Sequence, residues 1–223
     1  WLIGEKTTEI WGSTGDKDLP FARMSGAFIS VGCVAKNSIC QFGGDLVWLT
    51  KTDLGQGQIV MTQGYQAQRI SNHAIESEIN SYSNISDAYS FAYQEDGHAF
   101  YLISFPTDKK TWCYDSTTNM WHERSFYNPK TYLHEHHRAS VHCFFNGMQL
   151  VGDRQNGKIY QLTHKSQTDD GQTIMRERVT PVVNPHGLKL IFDELEIKLQ
   201  AGQDDNSNPL LMLDWSDDGG RTW

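Results

Sequence analysis

The sequence has 223 residues, of which 38% are hydrophobic and 12% aromatic, and its formal net charge is −8. That length allows one large core or two small ones, and the many Trp and Tyr residues are typical of sheets whose broad side chains cover half-buried faces. The negative charge argues against a protein that binds nucleic-acid phosphates over a wide surface, and no run approaches the ~20 apolar residues of a membrane span.

The cysteines are spaced too widely for a CxxC zinc motif, and each lies in an apolar, strand-like run. We therefore expect reduced, buried thiols in a protein made in a cytosol. The four are Cys33, Cys40, Cys113 and Cys143.

The first segment predicts a strand over residues 2–11, with Gly4 as a kink or bulge. Residues 12–20 are then expected to be a polar loop. No secretory signal precedes this strand, and the chain starts without a Met, so we expect a fragment of a longer protein.

Residues 27–71 predict about four strands, close to the ~40–45 residues of one propeller blade. Gly-rich turns separate most of these runs, whereas Lys36-Asn37 is expected to join the first two. The runs are 27–35, 38–42, 46–49, 58–62 and 66–71.

Residues 72–87 contain the one helix that the pattern predicts. Asn72 is a plausible N-cap, and acidic side chains at Glu76 and Glu78 favour the first turns. Apolar residues recur three or four positions apart and would form the buried side. We expect this short helix to end near Ser83-Asn84.

A second meander is predicted over residues 88–126, with Asp96-Gly97 as a hairpin turn. Its strands are expected at 88–94, 98–105, 111–115 and 119–126. Residues 127–138 are polar and are expected to be a connection without strands.

The third meander, residues 140–162, has the strongest local signal in the chain. Asn146-Gly147 lies between two apolar runs, and both residues tolerate the positive φ of a type I′ turn. A further turn follows at Gly152-Asp153, with Gly157 closing it before the last strand. Three strands with tight turns make most of one blade.

After His164 the composition changes, and we expect a boundary that divides the chain into 1–164, partial propeller blades, and 165–223, an additional β-strand module. Three longer strands are expected there, at 173–183, 188–200 and 210–215. In the second of them, Leu195, Ile197 and Leu199 alternate with polar residues, as in a sheet with one wet face. The predicted fold class is all-β: β-propeller-like antiparallel meander blades, one short helix and a further C-terminal β module.

The C-terminal residues match the Asp-box pattern S-x-D-x-G-x-T-W, which predicts a compact hairpin tip. Asp218 would accept turn N–H groups, Gly220 would take positive φ and Trp223 would point inward. Asp-boxes are structural in sialidases and other propeller hydrolases, and only one complete copy occurs here. Its defining residues are Ser216, Asp218, Gly220, Thr222 and Trp223.

Residues 114–121 resemble the Y-D-x-x-T-x-x-W hairpin of kelch blades, with Tyr114, Asp115 and Trp121 at the defining positions. A full kelch repeat needs a Gly-Gly pair upstream at fixed spacing. Gly43-Gly44 belongs to a different predicted blade, so the pattern predicts a blade hairpin rather than kelch membership.

The histidines are densest in a segment that could be a solvated connection, a surface that changes charge between pH 5 and 7, or a metal site. In an extended segment His134 and His136 would share one side, and they are the candidate metal pair, although no metal is predicted. The set is His134, His136, His137 and His142. No P-loop, G-x-S-x-G or H-E-x-x-H occurs, so neither a catalytic residue nor a cofactor is predicted.

Taken in order, five stretches resemble the packaged-DNA stabilisation protein, also called the tail accessory factor or tail hub, of short-tailed phages and related prophages. They are L-I-G-E-K-T-T-E-I-W-G-S-T-G, F-I-S-V-G-C-V-A-K-N-S-I-C-Q-F-G-G-D-L-V-W-L, R-I-S-N-H-A-I-E-S-E-I-N-S-Y, T-W-C-Y-D-S-T-T-N-M-W and L-V-G-D-R-Q-N-G-K-I-Y-Q-L. No single stretch is specific, but their order is.

The resemblance implies a structural virion protein of the phage tail, made in the bacterial host cytoplasm. Its implied partners are the portal and adaptor ring, the tail needle and further copies of itself in a ring. It implies that the protein retains DNA until ejection. It also implies a protein that does not associate with a membrane, does not bind nucleic acid tightly and has no catalytic residues. Two alternatives stay open: a sialidase-type glycosidase, which needs clustered arginines and further Asp-boxes, and a kelch-like protein-binding module.

Overall fold

The computed structural model of the chain describes residues 1–166, 168–183, 190–198 and 211–223. These residues form mainly short antiparallel strands, together with one nine-residue helix. The chain divides into two compact units, residues 1–166 and residues 167–223. The assignment of separate roles to 1–164 and 165–223 stays a prediction.

The first sheet has three antiparallel strands in the order β1-β2-β3: β1 (Leu2–Ile3), β2 (Thr8–Ser13) and β3 (Phe21–Ile29). The prediction of one strand over residues 2–11 is wrong, because the Gly4 N–H donates to the Thr7 carbonyl at 2.8 Å and closes a turn there. β3 also begins and ends earlier than the strand predicted at 27–35.

The segment after β3 contacts the turn between β1 and β2 instead of continuing as a strand: the Cys33 N–H donates to the Gly4 carbonyl at 2.8 Å. Lys36–Ser38 form a turn of 3₁₀ helix, and the buried Ser38 hydroxyl donates to the Ala35 carbonyl at 2.7 Å. The same hydroxyl accepts the Leu49 N–H at 2.9 Å. A side chain that satisfies two backbone groups stabilises this irregular link, which sequence periodicity does not reveal.

Blade 1 is a four-stranded meander in the order β4-β5-β6-β7, so four strands within residues 27–71 are confirmed over a narrower range. Its central strands are buried on both faces, and the indole N–H of Trp48 donates to the Gly32 carbonyl at 2.9 Å, which ties the blade to the segment after the first sheet. The strands are β4 (Cys40–Phe42), β5 (Asp45–Lys51), β6 (Gly57–Gln63) and β7 (Gln66–Arg69).

Helix α1 (His73–Ser81) confirms the predicted helix and its N-cap. The Asn72 side-chain oxygen accepts the Ile75 N–H at 3.0 Å. Ile75 and Ile79 are buried against blade 1, as their spacing predicts.

Blade 2 confirms the second meander, with strand order β11-β10-β9-β8. Asp96 and Gly97 have φ of 50° and 81°, as a type I′ turn requires. Its strands are β8 (Tyr89–Glu95), β9 (His98–Phe105), β10 (Lys110–Asp115) and β11 (Met120–Glu123).

A hairpin follows where the sequence predicts a connection without strands, so that prediction is wrong. β12 (Ser125–Asn128) pairs antiparallel with β13 (Leu133–His136). The hairpin reaches blade 2, because the His137 N–H donates to the Thr111 hydroxyl at 3.0 Å. Its polar composition reflects strands that are short and only partly buried.

Blade 3 confirms the third meander: β14 (Ala139–Phe145), β15 (Met148–Asp153) and β16 (Ile159–Gln161). Asn146 and Gly147 have φ of 48° and 75°, which confirms the predicted turn. The all-β prediction of antiparallel meander blades with one short helix is therefore confirmed.

The three blades of the first unit stack through two hydrophobic clusters. One joins blade 1, α1 and blade 2, around Leu49, Ile59 and Tyr101. The other joins blade 2 to blade 3, around Leu102 and Val151. The first strands of the three blades, β4, β8 and β14, are neighbours, which is the arrangement of inner strands in a propeller.

In the second unit the described residues contain one hairpin, β17 (Thr168–Asp169) with β18 (Gln172–Thr173). The three longer predicted strands are wrong as far as residues 174–183, 190–198 and 211–215 are concerned, because these carry no strand. Leu188, Leu199, Gln200 and Leu210 lie outside the described residues. Alternating polar and apolar residues form one solvated and one buried face only where the segment pairs with a neighbouring strand. Here the segment is not in a strand, and Leu195 is 63% exposed.

All four cysteines are free thiols, but they are not uniformly buried as predicted. Cys113 is buried and Cys33 and Cys40 are half-buried, and burial raises the pKa of the Cys113 thiol to about 12. Cys143 is exposed on β14.

Candidate functional site

The predicted kelch-like stretch forms the turn between β10 and β11. The Asp115 carboxylate accepts the Thr117 N–H and the Thr118 hydroxyl, both at 2.9 Å, and contacts His98 Nδ1 at 2.8 Å. Burial raises the pKa of Asp115, but the hydrogen bonds from His98, Thr118 and Thr117 bring it below its ordinary value. The turn is closed by Asn119, whose φ is 56°.

The two aromatic residues of this stretch hold blade 2 to its surroundings. The Tyr114 hydroxyl donates to the Asn119 side chain at 2.9 Å, and the Tyr114 and Trp121 rings lie 5.1 Å apart. The Trp121 indole N–H donates to the Ile70 carbonyl at 2.9 Å, just after blade 1. These contacts have a structural role, because they join blade 2 to the segment after blade 1.

The corresponding turn of blade 3 is built around Asp153, at the end of β15. One carboxylate oxygen accepts the Gln155 and Asn156 N–H groups, at 2.5 and 3.1 Å. The other accepts from Arg138 Nε at 2.6 Å, and the Asp153 side chain is fully buried. Gly157 closes the turn with φ of 68°.

Close backbone packing accompanies this turn. A Cβ on Gly152 would lie 2.8 Å from Val141 Cγ2 on the neighbouring strand, so a glycine is needed there. The Asn156 amide donates to the Tyr160 hydroxyl at 2.9 Å, which links the turn to β16.

Two blades thus use the same turn design with different partner side chains. In each, an Asp at the end of a central strand accepts hydrogen bonds from the following turn and binds one side chain from earlier in the chain. That side chain is His98 in blade 2 and Arg138 in blade 3. Both carboxylates are occupied by hydrogen bonds of their own blade, which suits rigid turns better than proton transfer.

The Asp-box forms the predicted tip. The Asp218 carboxylate accepts the Arg221 and Thr222 N–H groups at 2.9 Å, and hydroxyl bonds from Thr222 and Ser216 also lower its pKa. Gly220 has φ of 88°. The expectation that Trp223 points inward is wrong: its side chain is 65% exposed, because its ring contacts the tip at Gly220 rather than a core.

The two histidines of the candidate metal pair lie in different environments. His134 is exposed and its Nδ1 lies 2.8 Å from the Ser125 hydroxyl, whereas His136 is buried and its Nδ1 has no hydrogen-bond partner. Burial, followed by the positive charge of Arg154, lowers the pKa of His136 to about 4. Among the described residues, no group of three or more His, Cys, Asp and Glu side chains could hold a metal ion.

The other two histidines of the set have structural contacts. Burial lowers the pKa of His137 to about 4, and its Nδ1 accepts the Ala139 N–H at 3.2 Å. His142 stacks on Phe91 of blade 2 with ring centroids 5.8 Å apart.

Sequence reasoning missed the arginines that join the elements. Arg138 lies over the Phe126 ring at 4.9 Å, and Arg154 binds Glu135 at 3.1 Å. Arg124 donates to the Tyr93 hydroxyl at 2.6 Å. These partners are 12 to 31 residues apart in sequence, so no local motif marks them. Each of these three guanidinium groups contacts a different set of side chains, unlike the arginine constellation that a sialidase needs.

A family model of phage stabilisation proteins, described as bacteriophage P22 Gp10, beta-propeller, matches residues 1–167. The match spans the first sheet, all three blades and the hairpin β12–β13. No curated protein matches the chain. Among the described residues, no helix has the length and apolar character needed to cross a membrane.

Proposed function

The chain belongs to the family of phage stabilisation proteins described as bacteriophage P22 Gp10, and we propose that it closes the phage tail channel below the portal and adaptor and so retains packaged DNA until ejection. The family is one of phage structural proteins, which confirms the resemblance found in the sequence. The match over residues 1–167 carries the proposal, because it includes every blade described above.

The construction of the blades supports a mechanical role. A channel protein that holds DNA must keep its shape against an outward load. The buried pair of Arg138 and Asp153 fixes the turn of blade 3, and the Trp121 indole joins blade 2 to Ile70 after blade 1. Short antiparallel strands with such turns give a stiff element without requiring a reaction centre.

The charge of the chain also supports passage of DNA. The formal net charge is −8, and an acidic surface repels phosphate over about one Debye length, ~8 Å at physiological salt. DNA could then move through the channel without adhering, while a plug at its end retains the genome. In this proposal the chain acts without catalysis and contacts the portal and adaptor ring, the tail needle and further copies of itself.

The test uses phage particles that carry portal and adaptor but lack this protein. Adding the purified chain is expected to produce ring-shaped density at the tail vertex in electron micrographs and to raise the fraction of DNA-filled capsids. The chain unfolded by heat is the negative control. Unchanged DNA loss without new density would contradict the proposal, and hydrolysis of a fluorogenic sialoside by the chain would favour the glycosidase alternative instead.

A further inference from the structure

Four polar atoms of the first unit are buried and have no hydrogen-bond partner among the described residues. They are Asp87 Oδ1, the Tyr89 hydroxyl, His136 Nδ1 and Arg154 Nε. Most buried polar atoms in folded proteins have a partner, because an unpaired one loses its bonds to water and gains none. These four come from three separate elements: the start of blade 2, the end of β13 and the turn after β15.

Two of the atoms lie where blade 2 packs towards blade 3. Tyr89 begins β8, two residues before Phe91, which is buried in the cluster between these blades, so both side chains lie on the same face. Ser104 is opposite Tyr89 in the register, but its hydroxyl is bonded to β10 at 2.8 Å. Asp87 lies just before the strand, and its other oxygen, Oδ2, accepts the Thr107 N–H at 3.0 Å.

The other two atoms lie on the elements that cover this end of blade 2. His136 ends β13 and is only 7% exposed. The next residue, His137, donates its N–H to the Thr111 hydroxyl of β10 at 3.0 Å, so β13 ends against blade 2. Arg154 donates from Nη2 to the His136 carbonyl at 3.2 Å and to Glu135 at 3.1 Å, so its guanidinium lies beside His136.

Electrostatic interactions place the four atoms in one buried site. Such interactions weaken with distance, and the charges of Arg154 and Asp87 both act on His136. The Arg154 charge also acts on the Tyr89 hydroxyl. Positive and negative charges around His136 balance, because one further cation and one further anion act on it. These are Lys109 and Glu135.

The chemistry of these atoms decides what the site can bind. The Arg154 Nε–H only donates hydrogen bonds and a carboxylate oxygen such as Asp87 Oδ1 only accepts them, whereas the Tyr89 hydroxyl does both. Burial lowers the pKa of His136 to about 4, so its ring is neutral at pH 7. An anion would be repelled by Asp87, and a cation would be repelled by Arg154. The ligand must therefore be neutral and must both donate and accept hydrogen bonds, as water does.

We propose that one buried water, or two in contact, bridges these four atoms and so joins blade 2 to the hairpin β12–β13 and to the turn of blade 3. A buried water makes about three hydrogen bonds, so four convergent atoms match one or two waters. Such a bridge holds the elements together nearly as well as direct hydrogen bonds. The site is separate from the channel proposal, since it concerns only how the first unit is held together.

The test is NMR of the purified ¹⁵N-labelled chain, read at the Nε–H proton of Arg154. A bound water should give a cross-peak to this proton whose NOESY and ROESY signs are opposite, unlike the equal signs of chemical exchange. Arg138 is the internal control and should give no such peak, because its side chain is also largely buried and its Nε donates to Asp153 at 2.6 Å. The Arg154 peak should persist in Tyr89→Phe, which removes a hydroxyl proton that could relay magnetisation but keeps the other three atoms.

A crystal structure gives the second measurement: density within ~2.7–3.2 Å of at least two of the four atoms is expected, without anomalous signal at the site after a bromide soak. A missing Arg154 peak, or a peak lost in Tyr89→Phe, would overturn the proposal. Bromide at the site, which would make it an anion site, or a direct bond between two of the four atoms would refute it as well. None of these results involves portal, adaptor or DNA, so failure here leaves the channel proposal to its own test.

Discussion

Replacement of Asp153 by Ala tests whether the blade turns give the molecule its rigidity. The substitution removes the buried partner of Arg138, whose side chain is itself 11% exposed, and the acceptor of two turn N–H groups. Arg138 keeps its position over the Phe126 ring, so its charge stays in a largely buried place.

The expected loss is the sum of two effects. A buried ion pair that loses one partner costs about 3–5 kcal/mol, because the remaining charge stays desolvated. Each of the two turn hydrogen bonds contributes about 1 kcal/mol. Asp153→Ala should therefore lower the free energy of unfolding by about 5–7 kcal/mol, and Asp153→Asn, which can still accept from the turn, by about 3–5 kcal/mol.

Urea unfolding followed by tryptophan fluorescence measures both values, and the double variant with Arg138→Met separates the pair from the turn. Glu123→Gln is the matched control: it breaks the exposed pair with Lys110, 2.8 Å long, and should cost less than about 1 kcal/mol. If Asp153→Ala costs no more than Glu123→Gln, the buried pair does not stabilise the blade and the reasoning fails.

Three further predictions concern other parts of the first unit. Because the pKa values of both His136 and His137 are lowered to about 4, stability should be complete above pH 6.5 and fall between pH 6.5 and 4 by up to about 3 kcal/mol for each residue, as the unfolded chain takes up the protons first; the fall in urea midpoint across this range should be roughly halved in His136→Gln but not in His134→Gln. Gly32→Ala should cost more than about 3 kcal/mol in the same assay, since a Cβ would lie 2.2 Å from backbone atoms of the turn between β1 and β2, whereas Gly44→Ala, with nothing within 4 Å, should stay within about 1 kcal/mol. Asn72→Ala should lower the free energy of unfolding by about 1 kcal/mol, and a change below 0.3 kcal/mol would show that the cap does not matter.

The parts of the fold that the sequence predicts correctly are those whose cause is local. Asn146-Gly147 and Asp96-Gly97 specify their turns because both residues of each pair adopt positive φ. Asn72 specifies the start of α1 because its side chain binds a backbone group three residues away. In these cases the residues that decide the structure are neighbours in the chain.

The errors occur where distant partners decide. Residues 127–138 fold into the hairpin β12–β13 although their polarity suggests a loop, because they are held by Thr111 and by the arginine contacts of later residues. The Ser38 hydroxyl accepts the N–H of Leu49, eleven residues away, and Ser38 lies in a 3₁₀ turn where the sequence predicts a strand. Neither partnership leaves a periodic signal in the sequence.

The candidate site shows the same division in one motif. The aspartates of the two blade turns are visible in sequence, since Asp115 and Asp153 each end a strand before turn residues. The partner side chains of these carboxylates are not visible, because His98 and Arg138 lie 17 and 15 residues earlier and reach the carboxylates only through strand pairing. The Arg138 guanidinium stays charged, so the buried pair that fixes the blade 3 turn is a permanent one.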